Sequence, residues 1–212
     1  MDFDSKPRGL PADAQLILAT LNAPFRIISH LSLVHDSAPV ILEAIQTHST
    51  ALIIDADVFL FGAAIHDIGK TLHPNEVTGS GSLHEFDGPV LLQQYGLTFE
   101  IARFALTIRN WQQESSIELE HFLVALGDTL WKGSRNPILE SIVAIRISEK
   151  LLITEWEVFL VLGDLFQKLP IVARQDWGGK GSNLLMICHS RQITRRRFCL
   201  KYNLTIAANE LD

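Results

Sequence analysis

An all-α fold is predicted by three features of the chain. Apolar residues recur at helical spacing through most of its length, period-two alternation is scarce, and prolines and glycines fall where helices would start and stop. Leu16, Ile17, Leu18 and Leu21 predict a first helix, with Pro11 and Asp13 near its start. A second runs from about Pro24 through Ala38, and Pro39 either kinks it or starts a fresh turn that continues through Val40, Ile41, Leu42, Ala44 and Ile45. The third covers about Ala56–Asp67 and is apolar on nearly every side, the mark of a buried central helix, with Gly69 expected as a left-handed stop. Residues 71–88, TLHPNEVTGSGSLHEFDG, have loop composition, and a loop that long inside a compact domain is usually functional. Pro89 then opens a helix that Gly96 ends, and further helices are expected at about Phe99–Gln112, Ser116–Lys132, Pro137–Leu152 and Thr154–Leu169. After Pro170 the pattern changes: QDWGGKGSNLLM reads as loop and FCLKYNLTI as a short strand or an irregular arm.

Composition narrows the function classes. The 212 residues are 47% hydrophobic and 20% charged, which suits one domain with a proper core and excludes disorder. The net charge of −6 excludes a globally basic nucleic-acid binder. That charge is uneven, however, at −10 over residues 1–170 and +4 over residues 171–212, where Arg195, Arg196 and Arg197 lie. Such a tail could touch nucleic acid or a membrane surface, or simply be a solvated offset to an acidic body. Two cysteines, Cys188 and Cys199, make neither a disulfide scaffold nor a zinc finger. The N-terminal MDFDSKPRGLPADAQ lacks a secretory pattern, and the apolar stretch from Ala51 to Ile65 is broken by Asp55 and Asp57. A cytoplasmic chain with no membrane partner is the expectation.

Chemistry gathers around the histidines. In GAAIHDIGK, His66 and Asp67 are adjacent at the end of the buried helix, and a carboxylate in an apolar setting needs a partner that a divalent cation can supply. Upstream, RIISHLSLVHDSA places His30, Val34 and Ala38 four apart on one helix face; His35 would point elsewhere. Downstream, Asp128 lies in the apolar run from Phe122 to Leu130. Taken singly, His30 could be a satisfied core histidine, Asp67 a cap, and Asp128 the ion-pair partner of Lys132 or Arg135. Together they would form a mixed nitrogen–oxygen site suited to Mn²⁺, Fe²⁺, Co²⁺, Ni²⁺ or Mg²⁺, with zinc as an alternative.

The order His30, then His66-Asp67, then Asp128 resembles the HD superfamily of metal-dependent phosphohydrolases. The resemblance spans residues 23–165 and includes H-x-x-x-V-x-x-x-A from His30, HDIGK at 66–70, HE-x-x-G at 84–88, and DTLWKG at 128–133, which is similar to the D-x-L-W-K-G of a bacterial subgroup. It implies a bundle of about five core helices with peripheral ones: an N-terminal helix or arm over 1–22, an HD domain over 23–169 and an irregular C-terminal extension over 170–212. It also implies a metal held by His30, His66, Asp67 and Asp128, with Asp67, Lys70 and His84 as catalytic groups. In dinuclear members the histidine at the place of His84, together with a later one, holds a second metal. The next histidine here is His121 and FALTIRNWQQ has none, so one metal is expected, with His84 near the phosphate or supporting the ligands. His73 would line the site or be exposed, and Arg103 and Arg109 are further candidates to meet a phosphate. HE-x-x-G is not a zincin motif, because Gly88 stands where the second histidine would be. The function implied is hydrolysis of a phosphoester, of a nucleotide or related small phosphate, by metal-activated water. The alternative is an HD-like nucleotide-binding or sensory module without turnover. A homodimer is left open.

Overall fold

The structure, a computed structural model, describes residues 9–48, 51–106 and 117–177, with side chains described to residue 166. Its α-helices are α1 (Ala12–Thr20), α2 (Phe25–His48), α3 (Ala56–Ile65), α4 (Leu83–Gln94), α5 (Phe99–Ala102), α6 (Leu119–Trp131), α7 (Pro137–Leu151) and α8 (Glu155–Trp177). Three 3-10 turns, Ile68–Thr71, Pro74–Val77 and Arg103–Ala105, join them, and there is no strand among the described residues. The fold is all-α. Arg109, Cys188, Cys199 and the triple arginine lie outside the described residues, as does FCLKYNLTI.

The long helix α2 is the spine. It packs against α3, α6 and α8, and α6 in turn packs against α3, α7 and α8. Its buried stripe of Ile27, Leu31, Val34, Ala38, Ile41 and Ile45 follows a three-four spacing, which is why one face of a 24-residue helix can serve three neighbours. Pro39 sits inside α2 without ending it. Helix α3 is buried nearly all round, and Gly62 lets Phe104 lie directly on it: a Cβ there would come within 2.3 Å of the Phe104 ring. Ala14, Ile17 and Leu18 of α1 join the same core.

Local chemistry sets several helix ends. Asp55 caps α3 by accepting from the Val58 amide at 3.2 Å, and Asn136 caps α7 by accepting from Leu139 at 3.1 Å, with Pro137 as the first helical residue. Gly96, at φ 82°, ends the α4 turn, as its place in the sequence predicts. Arg135 grips the buried Glu140 with two bonds of 2.7 and 2.6 Å and lies 3.7 Å from the Phe166 ring centroid, tying the α6–α7 connection to α8.

Three expectations are corrected. Gly69 is not a left-handed stop; it lies within the 3-10 turn Ile68–Thr71, and its lack of a side chain serves a close backbone approach. Helix α4 begins at Leu83, six residues before Pro89, so His84 and Glu85 are helical and buried. Proline in a helix interior costs about 3 kcal/mol, and the turn ahead of Pro89 is held by a carboxylate from the preceding loop, described below. The helix expected over Phe99–Gln112 is the short α5 followed by a 3-10 turn to Ala105, and residues 107–116 lie outside the description. Helix α8 runs on past residue 169, from Glu155 to Trp177. No helix among the described residues is long and apolar enough to cross a membrane.

Candidate metal centre

Three elements deliver four side chains to one point. His30 comes from the buried face of α2, one turn before Val34; His66 and Asp67 follow the last residue of α3; Asp128 comes from α6. His30 Nε2 lies 3.3 Å and His66 Nε2 3.7 Å from Asp128 Oδ1, and the ligand atoms of these three residues all fall within 4.8 Å of one another. Donors about 2.1 Å from a shared cation stand roughly 3 to 3.5 Å apart at tetrahedral or octahedral angles. Asp67 adjoins the cluster, with Oδ2 2.9 Å from His30 Nε2 and 3.9 Å from His66 Nε2. His35 is buried elsewhere on α2, its Nδ1 3.7 Å from Asp36.

The orphaned nitrogens are the test of whether these residues fit a metal. His30 Nε2 and His66 Nε2 are buried and neither makes an aligned hydrogen bond among the described residues, although carboxylate oxygens lie close to both. The Nδ1 of His66 is 3.0 Å from the Ala63 carbonyl, which fixes the tautomer that donates from Nδ1 and leaves the Nε2 lone pair facing the cluster. Buried lone pairs that converge on a point rather than on a donor fit a cation.

The electrostatics agree. Burial alone would push the Asp67 carboxyl up, but His66, His30 and His84 hold it well below the usual carboxylate range. Asp128 is likewise held down against burial by His66, His30 and Lys132. Burial lowers His30, whereas at His66 the charges of Asp67 and Asp128 outweigh burial and raise it. Two ionised carboxylates thus create a negative potential at the point where the nitrogens converge.

Cations ring the cluster. Lys70 Nζ donates to Asp67 Oδ2, and Lys132 Nζ donates to Asp128 Oδ2 at 2.8 Å. The Trp131 indole donates to Asp128 Oδ1 at 3.2 Å, and its ring centroid lies 5.1 Å from that of His30. His84, from the first turn of α4, brings Nε2 to 3.5 Å from Asp67 Oδ1. Its other nitrogen, Nδ1, is 2.5 Å from Glu76 Oε2. Desolvation would lower His84, but Asp67 and Glu76 raise it. Glu76 is the residue that sequence reasoning missed. The Ser82-x-x-Glu85 spacing of a capping box could have marked the true start of α4, although Ser82 makes no side-chain cap here.

Other candidates lie apart. His73 pairs with Asp87 at 2.7 Å, linking the 3-10 segment to α4, and the Arg103 guanidinium lies 5.7 Å from the Phe99 ring centroid. His121 stacks on Phe104, centroids 3.8 Å apart and planes at 7°, with neither ring nitrogen in an aligned hydrogen bond among the described residues. Burial, helped by the charge of Arg103, pushes its pKa down to about 4 from an ordinary 6.5. The folded value is the depressed one, so stability is unaffected above pH 6.5 and falls as pH drops toward 4, by at most roughly 3 kcal/mol. His121→Phe, which keeps the stack, is expected to raise stability in urea unfolding at pH 4.5 more than at pH 7.5. An equal change at both values would show that His121 is not the buried neutral group described.

Comparison of this chain with protein-family models, curated proteins and solved structures finds no match.

Proposed function

We propose that the chain is a metal-dependent phosphohydrolase of the HD type, acting on a small phosphate ester such as a nucleotide. The observation that carries this reading is the convergence of His30, His66 and Asp128 from three separate elements, with two buried imidazole nitrogens among them that make no aligned hydrogen bond and Asp67 at their edge. These four residues would hold the cation. When bound, it supplies Lewis acidity toward a phosphoryl oxygen and lowers the pKa of a water. Mixed imidazole and carboxylate donors suit Mn²⁺, Fe²⁺, Co²⁺, Ni²⁺ or Mg²⁺, with zinc as an alternative.

The chain's own groups divide the remaining work. Asp67 turns Oδ2 to His30 and Lys70, which leaves Oδ1, on the His84 side, to orient a water and take its proton. His84 stands across from that oxygen and can donate to the leaving group. Lys70 and Lys132 flank the two carboxylates and offset charge on the equatorial phosphate oxygens.

One observation favours a second reading, a phosphate-binding module without turnover. Both carboxylates already have lysine partners, so the site balances its charges from its own side chains. Metal analysis of the purified protein, followed by a phosphatase screen over nucleotides with several divalent ions, separates the two. The hydrolase reading expects bound divalent cation and activity that chelation removes and one ion restores. A metal-free protein, inactive with every ion, would establish the module.

A further inference from the structure

Glu76 lies on the 3-10 turn Pro74–Val77, in the segment that reads as loop, and belongs to none of the motifs. Its carboxylate nevertheless turns inward, and the side chain is 9% exposed. Oε1 accepts from the Leu83 amide at 3.0 Å, while Oε2 accepts from the His84 amide at 3.1 Å and faces the His84 ring nitrogen Nδ1 at 2.5 Å. Ser82 precedes α4 without capping it through its side chain, so the loop carboxylate takes the acceptor's place at this helix start. Gly81 makes room for it: a Cβ at that position would lie 2.2 Å from Glu76 Oε1.

From this geometry we infer that Glu76 is a positioning residue for His84, fixing its ring so that Nε2 is the atom presented to Asp67. One oxygen, Oε2, holds the amide and the ring of the same residue. That double hold restrains the side-chain torsions between them, because neither can turn without breaking a bond. With Nδ1 donating to Glu76, only Nε2 is left to meet a water, a phosphate oxygen or a leaving group. Carboxylate partners of metal-bound imidazoles act in this way, their removal typically costing 10- to 100-fold in activity or metal affinity, and that scale is carried over to His84. The bonds to Leu83 and His84 also explain why α4 begins six residues ahead of Pro89. The kinetic consequence rests on the proposed hydrolase reading; the ring placement does not.

The test is a double-mutant cycle on the full chain, with metal content measured in every preparation. Glu76→Gln keeps the length and an amide-accepting oxygen but presents only one acceptor where the carboxylate has two. It is expected to lower kcat about 10- to 100-fold with bound metal unchanged, and Glu76→Gln in a His84→Gln background is expected to add little. Losses that simply add would reduce Glu76 to a helix cap and overturn the inference. The ¹⁵N side-chain spectrum of His84 decides the matter even if no hydrolysis is found. The hydrogen-bonded Nδ1 signal of the parent protein should shift in Glu76→Gln, and an unchanged signal overturns the inference while leaving the hydrolase reading to its own test. Gly81→Ala, which displaces Glu76 with its charge intact, should give the same spectral change if Glu76→Gln folds poorly.

Discussion

Replacing Asp67 with alanine is expected to abolish both metal retention and turnover, with a loss of at least about a thousandfold in kcat, the scale on which removal of a reacting group acts. No other side chain in the site carries as many duties. Asp67 Oδ2 stands against His30 and Lys70, and Oδ1 faces His84. On the proposed reading its removal takes away a ligand for the cation and the oxygen that orients water, and with them goes the neighbour that raises His84. Breaking a buried ion pair from one side can cost 3–5 kcal/mol when the remaining charge has nowhere to go. Here Lys70 is 21% exposed and can turn outward, and His84 keeps Glu76, so the fold should survive. Asp67→Asn, which keeps the volume, is the control for packing, with circular dichroism to show that the helices remain. Metal content by mass spectrometry and phosphatase rate, measured on the same samples, check the prediction. Full turnover by a metal-free Asp67→Ala protein would sink the proposed reaction.

Two residues of the candidate centre, His30 and Asp128, were legible because each sits where periodicity is informative. His30 heads the stripe of Val34 and Ala38, both buried, and Asp128 interrupts an apolar run on α6, so an ionisable group in either place stands out. What escaped was everything that depends on contacts across the loop. Ser82-x-x-Glu85 offers a local signal for the start of α4, but the carboxylate that caps it comes from Glu76, seven residues before Leu83, and no local rule relates a helix start to a group that far upstream. The role of Lys70 was visible as a charge near the helix end but not as a partner of Asp67, since i,i+3 pairing depends on the chain continuing as a 3-10 turn. Gly69 invited a stop-signal reading because a glycine after an apolar helix usually closes it. Its actual duty concerns a segment nearly twenty residues away, which periodicity cannot see.

That duty yields the second large effect. A Cβ on Gly69 would lie 2.1 Å from the His84 carbonyl oxygen and 3.0 Å from the Cα and N of Gly88. Gly88 in turn has Ala105 behind it, where its own Cβ would meet that side chain at 2.8 Å. The glycines of HDIGK and HE-x-x-G are therefore one structural feature: they let the 3-10 turn and α4 approach backbone to backbone, and that approach is what brings His84 to Asp67. The obstacle at Gly69 is main chain rather than the tip of a flexible side chain, so α4 must move as a unit. Gly69→Ala is expected to destabilise by about 3 kcal/mol, at the upper end for overpacking, and to lower Tm by roughly 10 °C in a chain of this length. Gly127→Ala supplies the contrast, because the neighbours of its Cβ are the Ser37 hydroxyl at 3.0 Å and an Ile41 methyl at 3.3 Å, both able to yield. Its cost should stay near 1 kcal/mol. Thermal melts of the two variants measure the difference. Because the displacement in Gly69→Ala also separates His84 from Asp67, its activity should fall further than the folded fraction at the assay temperature accounts for. Equal melting temperatures for Gly69→Ala and the parent protein would mean that the two segments do not touch as closely as the structure has them.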